Sequence, residues 1–144
     1  MTRFGLFAMI IAAGLATQSL RAEGPPQCAS GNMVMNRTYA MSGTGAVLGT
    51  GGGPIAFVGI VTYNGDGTGT LHSATANVNG TVLKSTLVPA VFTVNRDCTG
   101  SKTFGAGPTA QHFDFVITPD GSTITFVETD AFAVMSGAAV RTRR

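Results

Sequence analysis

The chain has 144 residues, 44% hydrophobic and only 11% charged, with a formal net charge of +2. That length suffices for one domain with one core and is too short for two of ordinary size. So little charge, balanced between the signs, leaves no concentrated cationic face, and nucleic acid is excluded as a partner.

Residues 1–22 read as a secretory signal peptide, with one early cation, Arg3, the apolar run 4–16, and a short polar segment ending at Ala22. Cleavage after Ala16 is the alternative. The apolar run falls short of the about 20 residues that a membrane-spanning helix needs, so no membrane span is expected. Losing Arg3 and Arg21 leaves seven basic residues (Arg37, Lys84, Arg96, Lys102, Arg141, Arg143, Arg144) against seven acidic ones, a net charge of zero for an exported domain spanning 23–144. Arg141, Arg143 and Arg144 form a cationic tail, whose simplest role is to discourage edge-to-edge strand pairing.

Cys28 and Cys98 are the only cysteines, and in an exported chain they are expected to form one disulfide. Closing that loop removes unfolded-state entropy worth about 4 kcal/mol in the chain-entropy model. The bond would pin residues 23–35, a leader that arrives at the domain, to the turn at 96–100. A first strand is expected over 35–41. Residues 42–54 are so rich in glycine that they read as a mobile loop or a threshold to the second strand, since each glycine brings extra backbone entropy to an element interior.

Strands then follow at 55–63, 68–77, 81–86, 89–95, 101–104, 111–118, 122–129 and 131–142, rich in Val, Thr, Phe and Ile and separated by turn residues such as Asn64-Gly65-Asp66-Gly67, Asn79-Gly80 and Pro119-Asp120-Gly121. No connection is long enough for a crossover helix, so neighbours pair antiparallel. The expected fold is all-β, a small antiparallel up-and-down barrel of about eight strands, with a two-sheet sandwich as the alternative. Around Asp120 two registers compete. A type I turn with Gly121 in a bulge sets Thr118 opposite Ser122 and places His112, Asp114, Val116, Ile124, Phe126 and Glu128 on one face; proline at the first central position favours it. A two-residue Asp120-Gly121 turn instead sets Phe115 opposite Phe126 and Ile117 opposite Ile124.

Chemistry is sparse. Gly43-Thr44-Gly45-Ala46-Val47-Leu48-Gly49 has the look of a dinucleotide loop but runs into Gly51-Gly52-Gly53-Pro54, with no helix to hold a pyrophosphate. His72 and His112, 40 residues apart and with no cysteine to spare, give no zinc pattern, and no cofactor is expected. In the proline-favoured register His112, Asp114 and Glu128 share a face, read as an exposed polar cluster because Phe113, Phe115, Ile117 and Val127 fill a core better. Tyr63 and His72 have two readings each, as a packed tyrosine and a surface histidine or as cavity lining. Asn36-Arg37-Thr38 and Asn79-Gly80-Thr81 match the glycosylation acceptor pattern, the second also reading as a hairpin turn.

The run Phe92-Thr93-Val94-Asn95-Arg96-Asp97-Cys98-Thr99-Gly100, then His112-Phe113-Asp114-Phe115-Val116-Ile117, Phe126-Val127-Glu128-Thr129-Asp130-Ala131 and a final Ser136-Gly137-Ala138-Ala139-Val140-Arg141, resembles a group of small secreted bacterial proteins of unassigned function. In outline these are similar to calycin and allene-oxide-cyclase-like barrels. The resemblance covers residues 55–143 and implies a calycin-like barrel; its motifs are turns and strands, and no catalytic residue is carried over. The expectation is an exported, periplasmic or extracellular, non-enzymatic barrel that holds a small apolar ligand, lined by Phe113, Phe115, Val127 and Tyr63. The alternatives are an envelope protein with a filled core and a barrel-interior enzyme of cyclase or isomerase type.

Overall fold

The structure, a computed structural model, describes Gly24 and residues 26–142; the expected signal peptide and Arg143 and Arg144 of the tail lie outside the described residues. Eight strands follow one another: β1 (Arg37–Val47), β2 (Gly53–Tyr63), β3 (Thr68–Val78), β4 (Thr81–Val94), β5 (Thr99–Phe104), β6 (Gln111–Ile117), β7 (Thr123–Glu128) and β8 (Ala133–Arg141). Each pairs antiparallel with the next, and β1 pairs with β8 to close an up-and-down barrel. Alternation fills the interior: β6 buries Phe113, Phe115 and Ile117 and turns His112, Asp114 and Val116 outward.

Three details differ from the sequence reading. The glycine-rich segment is not all loop, because β1 runs through Gly43 and Gly45 to Val47. Those glycines serve close approach: a Cβ on Gly43 would strike the Phe57 ring and the Ser136 carbonyl, and one on Gly45 would strike Met135. Glycine in these inward positions leaves room for aromatic rings that cross the barrel, and Phe57 and Phe126 meet there at 6.1 Å between centroids. Second, residues 81–86 and 89–95 are not separate strands but parts of β4. A register shift between β2 and β3 at Ile60/Val61 leaves His72 unpaired, and on β4 Leu87 adopts φ 54° between the pairs Leu71–Val88 and Ser73–Thr86. The bulge bends the β3–β4 hairpin and exchanges which residues face inward.

Third, the proline-favoured register of β6 and β7 is not the one formed. Ile117 pairs with Ile124, Phe115 with Phe126 and Phe113 with Glu128. The type I turn does form, with Gly121 N–H donating to the Thr118 carbonyl at 2.8 Å, but Ser122 joins the loop and Thr118 N–H reaches the Thr123 carbonyl at 2.9 Å. One more loop residue slides β7 by one, so that apolar residues oppose apolar ones inside the barrel.

One end of the barrel is plugged. The disulfide Cys28–Cys98 forms, and it pins the N-terminal segment to the 96–100 turn as expected. A short 3₁₀ helix, Gly31–Met35, lies across that end with Met35 fully buried, Asn32 Oδ1 accepting from Val94 N–H at 2.8 Å. Tyr39 hydroxyl donates to the Gly121 carbonyl at 2.8 Å. Two turns at this end repeat one design, Asn64-Gly65-Asp66-Gly67-Thr68 and Asn95-Arg96-Asp97-Cys98-Thr99. In each the aspartate Oδ1 accepts from the threonine two residues on, through both its N–H and its hydroxyl. The same bonds hold the Asp66 and Asp97 carboxyls below the usual carboxylate range.

Candidate ligand cavity

Opposite the plug the interior is not filled. β4 pairs with β5 only over Ala90–Val94, so residues 81–89 extend past β5 and leave the barrel wall open beside Gly105 and Thr109. Behind that mouth lies a cavity of about 480 Å³, within the range of small-molecule sites. Its deep wall is apolar, formed by Met41, Ile55, Phe57, Leu71, Phe113 and Met135, with Ala74 and Ala76 on the bent part of β3 making space. Polar groups, Ser85, Thr109 and Gln111, line it too, while Leu83 and Phe132 are exposed apolar residues of the same wall. An apolar wall with a few polar groups is the ordinary composition of a site for a mostly hydrocarbon ligand.

A single cross-strand row joins Phe92 on β4, Lys102 on β5, the wall residue Phe113 on β6 and Glu128 on β7. Lys102 is 2% exposed and Glu128 7% exposed, and neither the Lys102 Nζ nor either Glu128 carboxyl oxygen has a hydrogen-bond partner. Lys102 Nζ lies 3.7 Å from the centre of the Phe126 ring and 5.4 Å from those of Phe104 and Phe113, an aromatic cage in place of a counter-ion. Burial without an ion partner pulls the lysine down to about 7. Burial, with a smaller contribution from the Asp130 charge, pushes the Glu128 carboxyl up to about 7.

The expected lining residues are divided by the structure. Phe113 is in the cavity wall. Phe115 is buried two residues further towards the plug, where its ring covers Gly100. Tyr63 is fully buried at the plugged end, its ring 5.8 Å from that of Tyr39 and 5.0 Å from that of Phe92. Val127 is 48% exposed on the outer face, so it does not share the interior with Phe113; the formed register turns Phe126 and Glu128 inward instead. That register also separates the expected polar cluster. His112 and Asp114 stay outside while Glu128 enters the barrel, and His112 Nδ1 meets Asp130 Oδ1 at 2.8 Å. His72 is exposed, bonded through Nε2 to Thr62 Oγ1 at 2.9 Å.

Lys102 and Glu128 are the interior groups that reading the sequence for motifs missed. Strand alternation carries the signal, because Lys102 lies two residues before Phe104 and Glu128 two after Phe126, so each shares the face of a buried aromatic. No protein-family model, no curated protein and no solved structure matches the chain.

Proposed function

We propose that the barrel binds a small apolar molecule through its open end, as an exported carrier or receptor rather than as a scaffold with a filled core. The observation that carries this reading is the asymmetry of the interior. One end is packed, disulfide-bonded and capped by Met35, whereas the other keeps a cavity of about 480 Å³ walled by hydrocarbon and aromatic side chains. An unfilled apolar space forfeits dispersion contacts along its whole lining, so a ligand that fills it recovers them. The disulfide supports the exported setting, since such bonds persist in oxidising compartments.

Native mass spectrometry of protein recovered from its natural source tests the proposal. A co-purifying apolar molecule that is retained by the wild type and lost in Phe113→Ala is expected. Protein that comes out ligand-free and takes up no apolar probe in solution would return the barrel to a structural role.

A further inference from the structure

Resting on that reading, we infer that the ligand carries an aldehyde or ketone at its buried end, and that the Lys102 amine captures it as an imine. The geometry points there in three steps. First, the chain has two lysines, and they occupy opposite environments: Lys84 is exposed on the outer face of β4, while Lys102 is caged by Phe104, Phe113 and Phe126. Second, two of those rings, Phe104 and Phe113, are themselves cavity wall, and their centres lie 5.4 Å from the amine. A ligand reaches it by displacing Phe113.

Third, the Lys102 amine is buried and unpartnered, the arrangement in which a lysine is neutral and nucleophilic at neutral pH. Burial, which pulls Lys102 down to about 7, agrees with this. Among the described residues the other titratable side chains buried in the barrel are Glu128, Tyr39 and Tyr63, and both tyrosines belong to the plugged end. Glu128 decides between headgroups. A carboxylate ligand would bring a second acid into a space that already holds one, with the Lys102 amine as its donor, whereas a carbonyl brings no charge.

The step balances without an oxidant or reductant. The amine nitrogen adds to the carbonyl carbon and one amine hydrogen passes to the oxygen, giving a carbinolamine. Its hydroxyl then leaves with the second amine hydrogen as water, and a carbon–nitrogen double bond remains.

Decanal, added to the intact disulfide-bonded protein with sodium cyanoborohydride, is the probe, and peptide mapping locates the decyl group. Capture on Lys102 at pH 7 at least tenfold faster than on Lys84 is expected, because a lysine in water is almost wholly protonated there. Lys102→Met should abolish it and Phe113→Leu should accelerate it. Decanol and decanoate, neither of which forms an imine, are titrated alongside by calorimetry. Decanol binding without Lys102 capture overturns the carbonyl assignment and leaves the cavity reading standing. Decanoate binding that needs Lys102, again without capture, replaces the carbonyl by an acid. Failure of all three ligands to bind removes both readings.

Discussion

Replacing Lys102 by methionine should stabilise the protein at neutral pH, although it deletes a fully buried side chain. Lys102 falls from 10.5 to about 7 on burial, which corresponds to about 5 kcal/mol against the charged form at 1.36 kcal/mol per pH unit. The cation–π attraction of the Phe126 ring acts on the charged form only, so the neutral amine gains nothing from it and the cost at pH 7 stays at about 4 kcal/mol. Methionine fills a similar volume and carries neither cost nor attraction. Above its folded value the native lysine is neutral while the unfolded chain still holds the proton, so wild-type stability rises between pH 7 and 10.5. Glu128 acts in the opposite sense. Its carboxyl ionises near 4.5 unfolded and near 7 folded, so stability falls by about 3 kcal/mol as pH climbs through that window. The two limbs meet in a stability minimum near pH 7, where small domains are ordinarily close to their maximum. Urea unfolding across pH 4–10 reads this directly. Lys102→Met should raise the midpoint at pH 7 by roughly 1–4 M and flatten the alkaline limb, while Glu128→Gln flattens the acid limb. A wild-type maximum at pH 7, or a methionine variant less stable there, would refute the reasoning.

Removing the disulfide as Cys28→Ser with Cys98→Ser should cost about 4 kcal/mol, given their sequence separation of 70, and expose the plug to protease; an unchanged urea midpoint would contradict it. Gly137→Ala would drive a Cβ onto the Ser42 carbonyl and the Phe126 ring, so a loss of about 1–3 kcal/mol is expected, and a thermal midpoint equal to wild type would mean the strands can separate. Leu87→Gly should gain about 1 kcal/mol, because Leu87 is exposed and held at φ 54°, a conformation that costs a leucine and not a glycine. A lower melting temperature in that variant would show that the leucine side chain matters more than its backbone.

Turn chemistry and alternation made the barrel legible before any coordinate. Asn64-Gly65-Asp66-Gly67 and Asn79-Gly80 mark hairpins that form, and the two cysteines pair. What was not legible is what depends on contacts across the barrel. Gly43 and Gly45 look like loop residues until the Phe57 ring and Met135 are seen lying against them. The slide of β7 turned on a single residue, Ser122, whose side-chain bond to Thr118 has no local signature. That slide placed Glu128 inside and Val127 outside, which is why the polar cluster with His112 and Asp114 did not form. The cavity itself is a product of strand lengths: β4 outruns β5, and no motif records such a mismatch. Lys102 was readable from its spacing to Phe104, but a motif search passes over a lone lysine.

Methyl NMR under titration with decanol reads directly whether the open end of the barrel takes up an apolar molecule. Saturable shifts are expected at Met41, Leu71, Val88 and Met135 around the cavity, with Val34 and Met35 in the plug undisturbed. Shifts confined to Val58 and Ile60 on the outer face, or none at all, would contradict such uptake.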